Sequence, residues 1–191
     1  MHSYFLRIRS IWNRYWFLLS EAQAHRSFQI GNSNSFNVPV RSSGHGSLII
    51  GDRNSLGFEG APRLGNGEIL IQPRTIASEI SIGDENSFSN NISIIATQAI
   101  SIGNRCLLGD GLGIFDSDFH DLSPAKRWNS PGLAEAVKIG NNVWLGSRVV
   151  VLKGVSIGNN SVVGAMSLVT RSIPENSVAA GVPAKIIRSL V

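Results

Sequence analysis

The sequence is poor in cysteine, in charged residues and in long hydrophobic runs. Its single cysteine, Cys106, excludes an internal disulfide and agrees with a reducing compartment. No run approaches the ~18 apolar residues of a membrane-spanning helix, and arginines interrupt the N-terminal segment, so we expect no spanning helix and no export signal. The net charge of +4 is mildly basic and its cations are scattered, which argues against a nucleic-acid partner. We therefore expect one cytoplasmic domain, with the inner face of the membrane as a second location.

What the chain has in abundance is a repeat rich in Gly, Ser, Asn and Ile. A helix repeats its apolar face at about 3.6 residues and a strand at 2, yet from residue 139 onward an aliphatic residue returns at every sixth position. A period of six indicates a repeat architecture. Gly-Asn and Gly-Asp pairs follow many of these positions, where sharp corners need a positive φ. The six strict positions are Ile139, Leu145, Val151, Ile157, Val163 and Val169.

Three short strands joined by three corners would close one triangular coil in about 18 residues, and stacked coils would pair their strands in parallel at about 4.8 Å. The same ladder can be traced back to residue 30 with small slips. Extra residues after Leu56, Ile94 and Ile114 are then predicted to leave from one corner, and those before Ile50 from another. The earlier ladder positions are Ile30, Phe36, Ser42, Ile50, Leu56, Leu64, Leu70, Ile76, Ile82, Phe88, Ile94, Ile102, Leu108 and Ile114.

The N-terminal segment, residues 4–19, has aromatic and aliphatic residues at helical spacing, beginning with Tyr4 and Phe5. Such a helix can cap the first coil or pack on a neighbouring subunit; alternatively it can lie in a membrane interface, where Trp, Tyr and Arg combine well. We divide the chain into an aromatic segment (1–28), the repeat domain (29–177) with an extruded loop (115–137), and a C-terminal cap (178–191).

The extruded loop reads FDSDFHDLSPAKRWNSPGLAEAV. Long polar loops inside compact repeats are more often functional than decorative. This loop contains His120, flanked by Asp116, Asp118 and Asp121.

Residues 137–190 resemble the end of the maltose, galactoside and serine O-acetyltransferases, through VWLGS, VSIGNNSVVGAMSLVT and IPENSVAAGVPAKIIR. The resemblance implies an all-β fold: a left-handed parallel β-helix of hexapeptide repeats with a short N-terminal helix and a C-terminal cap. It also implies a homotrimer with intersubunit active sites, and acetyl-CoA as acyl donor. The motif IFDSDFH resembles acetyltransferases of bacterial surface-polysaccharide pathways more closely than the sugar-specific enzymes. The implied acceptor is therefore a hydroxyl of a sugar or lipid-linked oligosaccharide in O-antigen, capsule or exopolysaccharide biosynthesis.

The family's catalytic histidine corresponds to His120, which is the only histidine in the loop. A sugar hydroxyl needs a base to attack a thioester near neutral pH, and histidine suits that role. Asp118 or Asp116 could hold the imidazole tautomer, although both are equally well explained as solvated loop acids. Asn90 and Asn91 lie one coil earlier and could bind the acceptor, or simply serve a β-helix corner.

The resemblance places the pantetheine arm of CoA beside the coils that follow the loop. Backbone donors among small side chains would suit it there, and cations would suit the phosphates, although each cation is also compatible with a solvated surface. Trp144 could border the thioester or pack in the trimer. The small candidates are Gly146, Ser147 and Ala165, and the cationic ones are Arg171, Lys185 and Arg188.

The sequence leaves two other functions open and argues against a third. An N-acetyltransferase acting on a nucleotide-linked amino sugar would use the same base, and a non-catalytic scaffold trimer remains open because fold alone carries no activity. Carbonic anhydrases of the same architecture bind zinc through closely spaced histidines. The spacing of His2, His25, His45 and His120 does not match that pattern, so no metal is expected.

Overall fold

The computed structural model describes the backbone of residues 2–191 and the side chains of residues 7–191. The side chains of Tyr4 and Phe5, predicted on the apolar face of the N-terminal helix, lie outside that description. One helix, α1 (His2–Gln23), precedes twenty short strands. No helix among the described residues is long and apolar enough to cross a membrane.

The strands form three parallel sheets, and consecutive strands of the chain pass from one sheet to the next. The first sheet contains β1 (Phe28–Ile30), β4 (Ser47–Ile50), β7 (Glu79–Ile82), β10 (Ala99–Ile102), β13 (Val137–Ile139) and β16 (Ser156–Ile157). The second contains β2 (Ser35–Phe36), β5 (Ser55–Leu56), β8 (Ser87–Phe88), β11 (Leu107–Leu108), β14 (Trp144–Leu145), β17 (Val162–Val163), β19 (Ser177–Gly181) and β20 (Ala184–Ser189). The third contains β3 (Val40–Ser42), β6 (Ile69–Pro73), β9 (Ser93–Ala96), β12 (Gly113–Phe115), β15 (Val150–Val151) and β18 (Leu168–Val169). The result is a three-sided prism. Among the strands of residues 2–191, only the last pair, β19–β20, is antiparallel, and an isolated antiparallel bridge joins Ser117 to Ala134.

Inward side chains of the three sheets fill the prism, as the period of six predicts. From residue 80 onward nearly every ladder position is buried, but the earlier count is wrong at three positions. Leu64 is 73% exposed and Ile76 is 87% exposed, because both lie in connections between strands. Leu70 points outward from β6, and its neighbours Ile69 and Ile71 are buried instead.

This slip also changes the corners from which the insertions leave. The corner between the first and second sheets carries none. Residues 57–68 leave from the corner between the second and third sheets. The insertions after Ile94 and Ile114, and the one before Ile50, leave from the corner between the third and first sheets. The prediction that the insertions after Leu56, Ile94 and Ile114 share one corner is therefore wrong for the first of them. The prediction of a different corner for the insertion before Ile50 is also wrong, because it shares the corner of the latter two.

At the corner between the first and second sheets, a ladder of buried asparagines joins each coil to the next by hydrogen bonds. Asn34 Oδ1 accepts from the backbone N of Asn54 at 2.8 Å, and Asn54 Oδ1 from the backbone N of Asn86 at 2.9 Å. Asn86 Oδ1 in turn accepts from the backbone N of Cys106 at 2.8 Å. Cys106 Sγ then lies 3.2 Å from the carbonyl of Gly140, and burial raises the pKa of this thiol. Cys106 thus continues the ladder as a buried structural residue.

Helix α1 covers the open end of the first coil. Phe17 is buried with its ring centroid 5.1 Å from that of Phe36 and 5.7 Å from that of Phe28. Ser10 Oγ accepts from the backbone N of Phe36 at 2.9 Å, and Asn13 Nδ2 donates to the carbonyl of Phe36 at 3.0 Å. These contacts satisfy an exposed sheet edge. Of the alternatives that the sequence leaves open for this helix, the structure shows the cap on the first coil, and the membrane interface stays a prediction.

Candidate active site

The loop between β12 and β13 is closed on itself and rests on the corner between the third and first sheets. The backbone N of Asp118 donates to the carbonyl of Leu133 at 3.0 Å, and that of Glu135 to the carbonyl of Asp116 at 2.8 Å. Near the tip, the N of Asp121 donates to the carbonyl of Ser130 at 3.2 Å. The loop is therefore a folded hairpin-like element that can hold a side chain in a fixed position.

Asp116 supports the corner rather than the histidine. Its side chain is fully buried, with 0% exposed, and it accepts from the backbone N of Thr97 and of Gln98, each at 2.8 Å. Both carboxylate oxygens therefore accept hydrogen bonds from the backbone of the turn in the preceding coil. The prediction that Asp116 orients His120 is corrected, because its carboxylate is used elsewhere.

Asp118 also has another partner. Its Oδ2 lies 3.4 Å from Lys153 Nζ, and Lys153 lies 3.9 Å from the carboxylate of Glu135. Lys153 follows β15, one coil after the loop begins, so the ion pair ties the loop to the coil below it. No hydrogen bond from Asp118 to His120 is recorded among the described side chains, so Asp118 does not hold the imidazole here. No sequence signal points to Lys153, because its nearness to the loop depends on coil stacking.

The group that does contact the imidazole is a backbone carbonyl. His120 Nδ1 lies 3.3 Å from the carbonyl oxygen of Arg127, within the same loop. A carbonyl can only accept, so in the neutral imidazole Nδ1 carries the proton and Nε2 keeps its lone pair. His120 is exposed and lines a cavity of about 230 Å³ with Arg127 and Trp128. The arrangement leaves Nε2 as the ring nitrogen able to accept a proton.

Gly132 packs against the backbone of His120. It has a φ of +77°, and a Cβ placed on it would lie 2.5 Å from the carbonyl oxygen of His120 and 2.8 Å from its carbonyl carbon. Only glycine fits both the left-handed backbone and this contact. The position of His120 therefore depends on a residue that the sequence did not single out.

Asn90 and Asn91 hold the inserted loop 57–68. Asn90 is fully buried; its Oδ1 accepts from the backbone N of Phe58 at 3.0 Å, and its Nδ2 donates to the carbonyl of Phe58 at 3.0 Å. Asn91 Nδ2 donates to the carbonyl of Pro62 at 3.0 Å and to Asp110 Oδ1 at 2.6 Å. Their predicted acceptor-binding role is corrected, because these amide groups are occupied by the protein itself.

The inserted loop is also fixed to α1 by an ion cluster. Arg9 contacts the carboxylate of Glu59, and Arg63 lies 2.7 Å from the same group. The hydrogen bond from Arg9 lowers the pKa of Glu59 below its ordinary value.

The small residues predicted to line the pantetheine arm lie together at the corner between the second and third sheets. A Cβ placed on Gly146 would lie 2.6 Å from the backbone N of Ala165, so the two coils approach closely there. Ser147 and Ala165 are exposed. In the described part of the chain, no hydrogen bond is recorded for the backbone N–H of either, which leaves two donors along this edge. Trp144 stands beside them on β14, 53% exposed.

The predicted phosphate-binding cations do not all share that edge. Lys185 and Arg188 lie on β20, which extends the second sheet, and both are exposed. Arg171 follows β18 and lies at the corner between the third and first sheets, the same corner as the loop of His120. Within one chain, His120 and Arg171 therefore lie at a different corner of the prism from the small-residue edge, which consists of Gly146, Ser147 and Ala165.

Residues 136–171 match the model of the bacterial transferase hexapeptide (six repeats). The coils within this range, from β13 to β18, match bacterial transferase hexapeptide repeats. The chain is 41% identical over 114 residues to a galactoside O-acetyltransferase of Escherichia coli, covering 59% of this chain and 55% of that protein. It thus spans about half the length of this curated relative.

Two solved structures extend the comparison. One is a hexapeptide-repeat acetyltransferase of Vibrio cholerae complexed with acetyl-CoA, with a TM-score of 0.56 and 33% identity over 59% of this chain and 61% of that one. The other is the polysialic acid O-acetyltransferase OatWY, with a TM-score of 0.64 and 26% identity over 87% of this chain and 86% of that one. The chain therefore has the predicted all-β fold, a left-handed parallel β-helix, and its resemblance to hexapeptide-repeat acetyltransferases is confirmed.

Proposed function

We propose that the protein transfers an acetyl group from acetyl-CoA to a hydroxyl of a sugar in a surface polysaccharide or its lipid-linked precursor. The observation that carries the proposal is the contact between His120 Nδ1 and the Arg127 carbonyl, which leaves Nε2 free to act as a general base. Support also comes from the acetyl-CoA complex of one similar structure and the polysaccharide substrate named for the other. A cytoplasmic location is part of the same proposal.

In the proposed reaction, Nε2 of His120 takes the proton of the acceptor hydroxyl as the hydroxyl oxygen attacks the thioester carbonyl carbon. The new C–O bond forms first, and the C–S bond then breaks to release CoA. The departing thiolate recovers the proton from the imidazolium, so the base is regenerated. The Arg127 carbonyl stabilises the imidazolium while it exists, because it accepts from Nδ1 in both states.

The test compares wild type with His120→Ala in acetyl-CoA consumption, using purified protein and a panel of galactosides, amino sugars and oligosaccharides. We expect a loss of about 10²–10⁴-fold in kcat, the usual contribution of a positioned base. Equal turnover by both proteins would show that His120 is not the base. Treating the product with alkali separates a labile ester from a stable amide, and an amide would favour the amino-sugar reaction instead.

We also propose that the active protein is a homotrimer whose sites lie between subunits. The support is the separation within one chain of His120 from the small-residue edge that would line CoA. In a three-fold ring each edge of one copy meets a different edge of the next, so a neighbour can bring the two groups together.

Mixing two inactive variants tests this arrangement. His120→Ala removes the base, and Ala165→Trp fills the exposed edge predicted for pantetheine. If each site takes the base from one copy and the edge from the next, random trimers of the two variants should regain about a quarter of wild-type activity. Sites contained in one chain would give no recovery. Co-expression of the two genes, followed by a mass measurement of the oligomer, provides the mixed sample.

A further inference from the structure

Helix α1 carries an apolar face that no described side chain of this chain covers. Its exposed large residues are Ile8 (36%), Ile11 (67%), Trp12 (57%), Tyr15 (54%) and Trp16 (61%). These positions recur every three or four residues and so share one side of the helix, while the opposite side packs on the first coil. A contiguous aromatic patch of this kind is unusual on a solvent-facing surface and marks an interaction site.

A positively charged groove borders the same face. Arg7 and Arg14 are two helical turns apart, so they project along one flank of α1. With Ile11 they help line a groove of about 390 Å³ between the helix and the first coil. Neither arginine takes part in an ion pair recorded for the described side chains, and residues 1–20 contain no Asp or Glu. The groove therefore presents uncompensated positive charge directly beside the aromatic patch.

We propose that α1 lies in the interface of a membrane that contains anionic phospholipids. Trp and Tyr side chains favour the boundary between headgroups and acyl chains, and arginines beside them can bind lipid phosphates. A partner protein with an acidic apolar groove would satisfy the same chemistry. The lipid surface is favoured because the aromatic residues spread along a convex helix face, and the charge lies on its flank.

Because α1 is attached to the first coil, membrane binding through α1 would also orient the prism relative to the membrane. Phe17 is buried in the first coil, and Ser10 and Asn13 bond to the backbone of Phe36, so the helix cannot rotate independently of the prism. Binding through the outer face would hold the first coil against the lipid. An enzyme acting on a lipid-linked sugar would then share a surface with its acceptor, although lipid binding itself does not depend on acyl transfer.

The experiment is vesicle flotation of the full chain, using phosphatidylcholine vesicles with and without phosphatidylglycerol. Wild type should float only with the anionic vesicles. The double variant Trp12→Ser/Trp16→Ser should bind at least roughly tenfold more weakly, and Arg7→Gln/Arg14→Gln should lose about fivefold per arginine, on anionic vesicles alone. Trp128→Ser is the matched control, because Trp128 is 91% exposed but lies on the loop of His120.

Three outcomes would overturn the proposal. Wild type that stays unbound refutes it directly, and equal binding to both kinds of vesicle refutes the role given to the arginines. If wild type does not float and Trp12→Ser/Trp16→Ser changes the oligomer mass in solution, the face is a contact between copies of this chain. Because every substituted residue on α1 is exposed or half-buried, melting temperatures close to wild type should accompany the binding data.

Discussion

Replacing Gly132 with alanine should displace His120 without unfolding the β-helix. The new Cβ would lie 2.5 Å from the carbonyl oxygen of His120, whereas ordinary contact begins at 3.4 Å. The His120 backbone must therefore move by about 0.9 Å, and a misplacement of about 1 Å can lower a catalysed rate ~100-fold. We expect kcat to fall roughly 10–100-fold, with the KM for acetyl-CoA unchanged because the new Cβ contacts His120 and leaves the residues of the small-residue edge unaltered.

Gly65→Ala is the matched control for this experiment. Gly65 has a φ of +64°, close to that of Gly132, but a Cβ placed on it meets nothing within 4 Å. Both variants should lose about 1–2 kcal/mol from the left-handed backbone, and only Gly132→Ala should lose activity. The measurements are kcat, the KM for acetyl-CoA and the melting temperature of each variant. If Gly132→Ala keeps kcat within twofold of Gly65→Ala, the proposed placement of His120 by Gly132 is wrong.

Three further predictions concern the parts that support the site. Cys106→Asn should leave the free energy of unfolding within about 1 kcal/mol of wild type. The new amide can donate to the Gly140 carbonyl, just as Asn54 and Asn86 donate to the glycine carbonyls at their own positions of the ladder. Cys106→Val, which has no donor, should lose ~1–3 kcal/mol of unfolding free energy in chemical denaturation. Asn90→Ala should lower stability by on the order of 2–3 kcal/mol and make the loop 57–68 sensitive to limited proteolysis; an uncut loop would contradict its role. Because Arg9 lowers the pKa of Glu59, their contact stabilises the fold above the ordinary carboxyl value of 4.5 and is lost as pH falls through the lower folded value. Glu59→Gln should therefore melt below wild type at neutral pH, and the difference should close in acid.

The period of six was sufficient to predict the coils wherever they run without interruption. From Ile139 to Val169 the count of six holds because four residues separate each strand from the next. The count failed between Leu56 and Ile82, where two insertions of different length happen to leave aliphatic residues at multiples of six. Leu64 and Ile76 fit the pattern but lie in connections outside the prism.

Side-chain roles at the site were harder to predict than the fold. Asp116, Asn90 and Asn91 have the residue types of a polar active site, and the same groups satisfy backbone donors and acceptors at corners and insertions. A sequence cannot distinguish the two uses, because both call for short polar side chains near a loop. His120 was identifiable through its loop and the family resemblance. Its orienting group was not, because a carbonyl oxygen belongs to every residue.

The repeat, the loop and the histidine in the loop can be predicted from the sequence alone, since all three follow from local spacing and residue type. The tertiary structure decided which groups meet: the Arg127 carbonyl with His120, Lys153 with Asp118, and Gly132 with the backbone it supports. These contacts depend on how coils stack and how a loop of some twenty residues folds back on its corner, and no periodicity encodes them. The prism geometry also places His120 and the edge around Gly146 and Ala165 at different corners, because the order of sheets around the coil assigns each insertion to its corner.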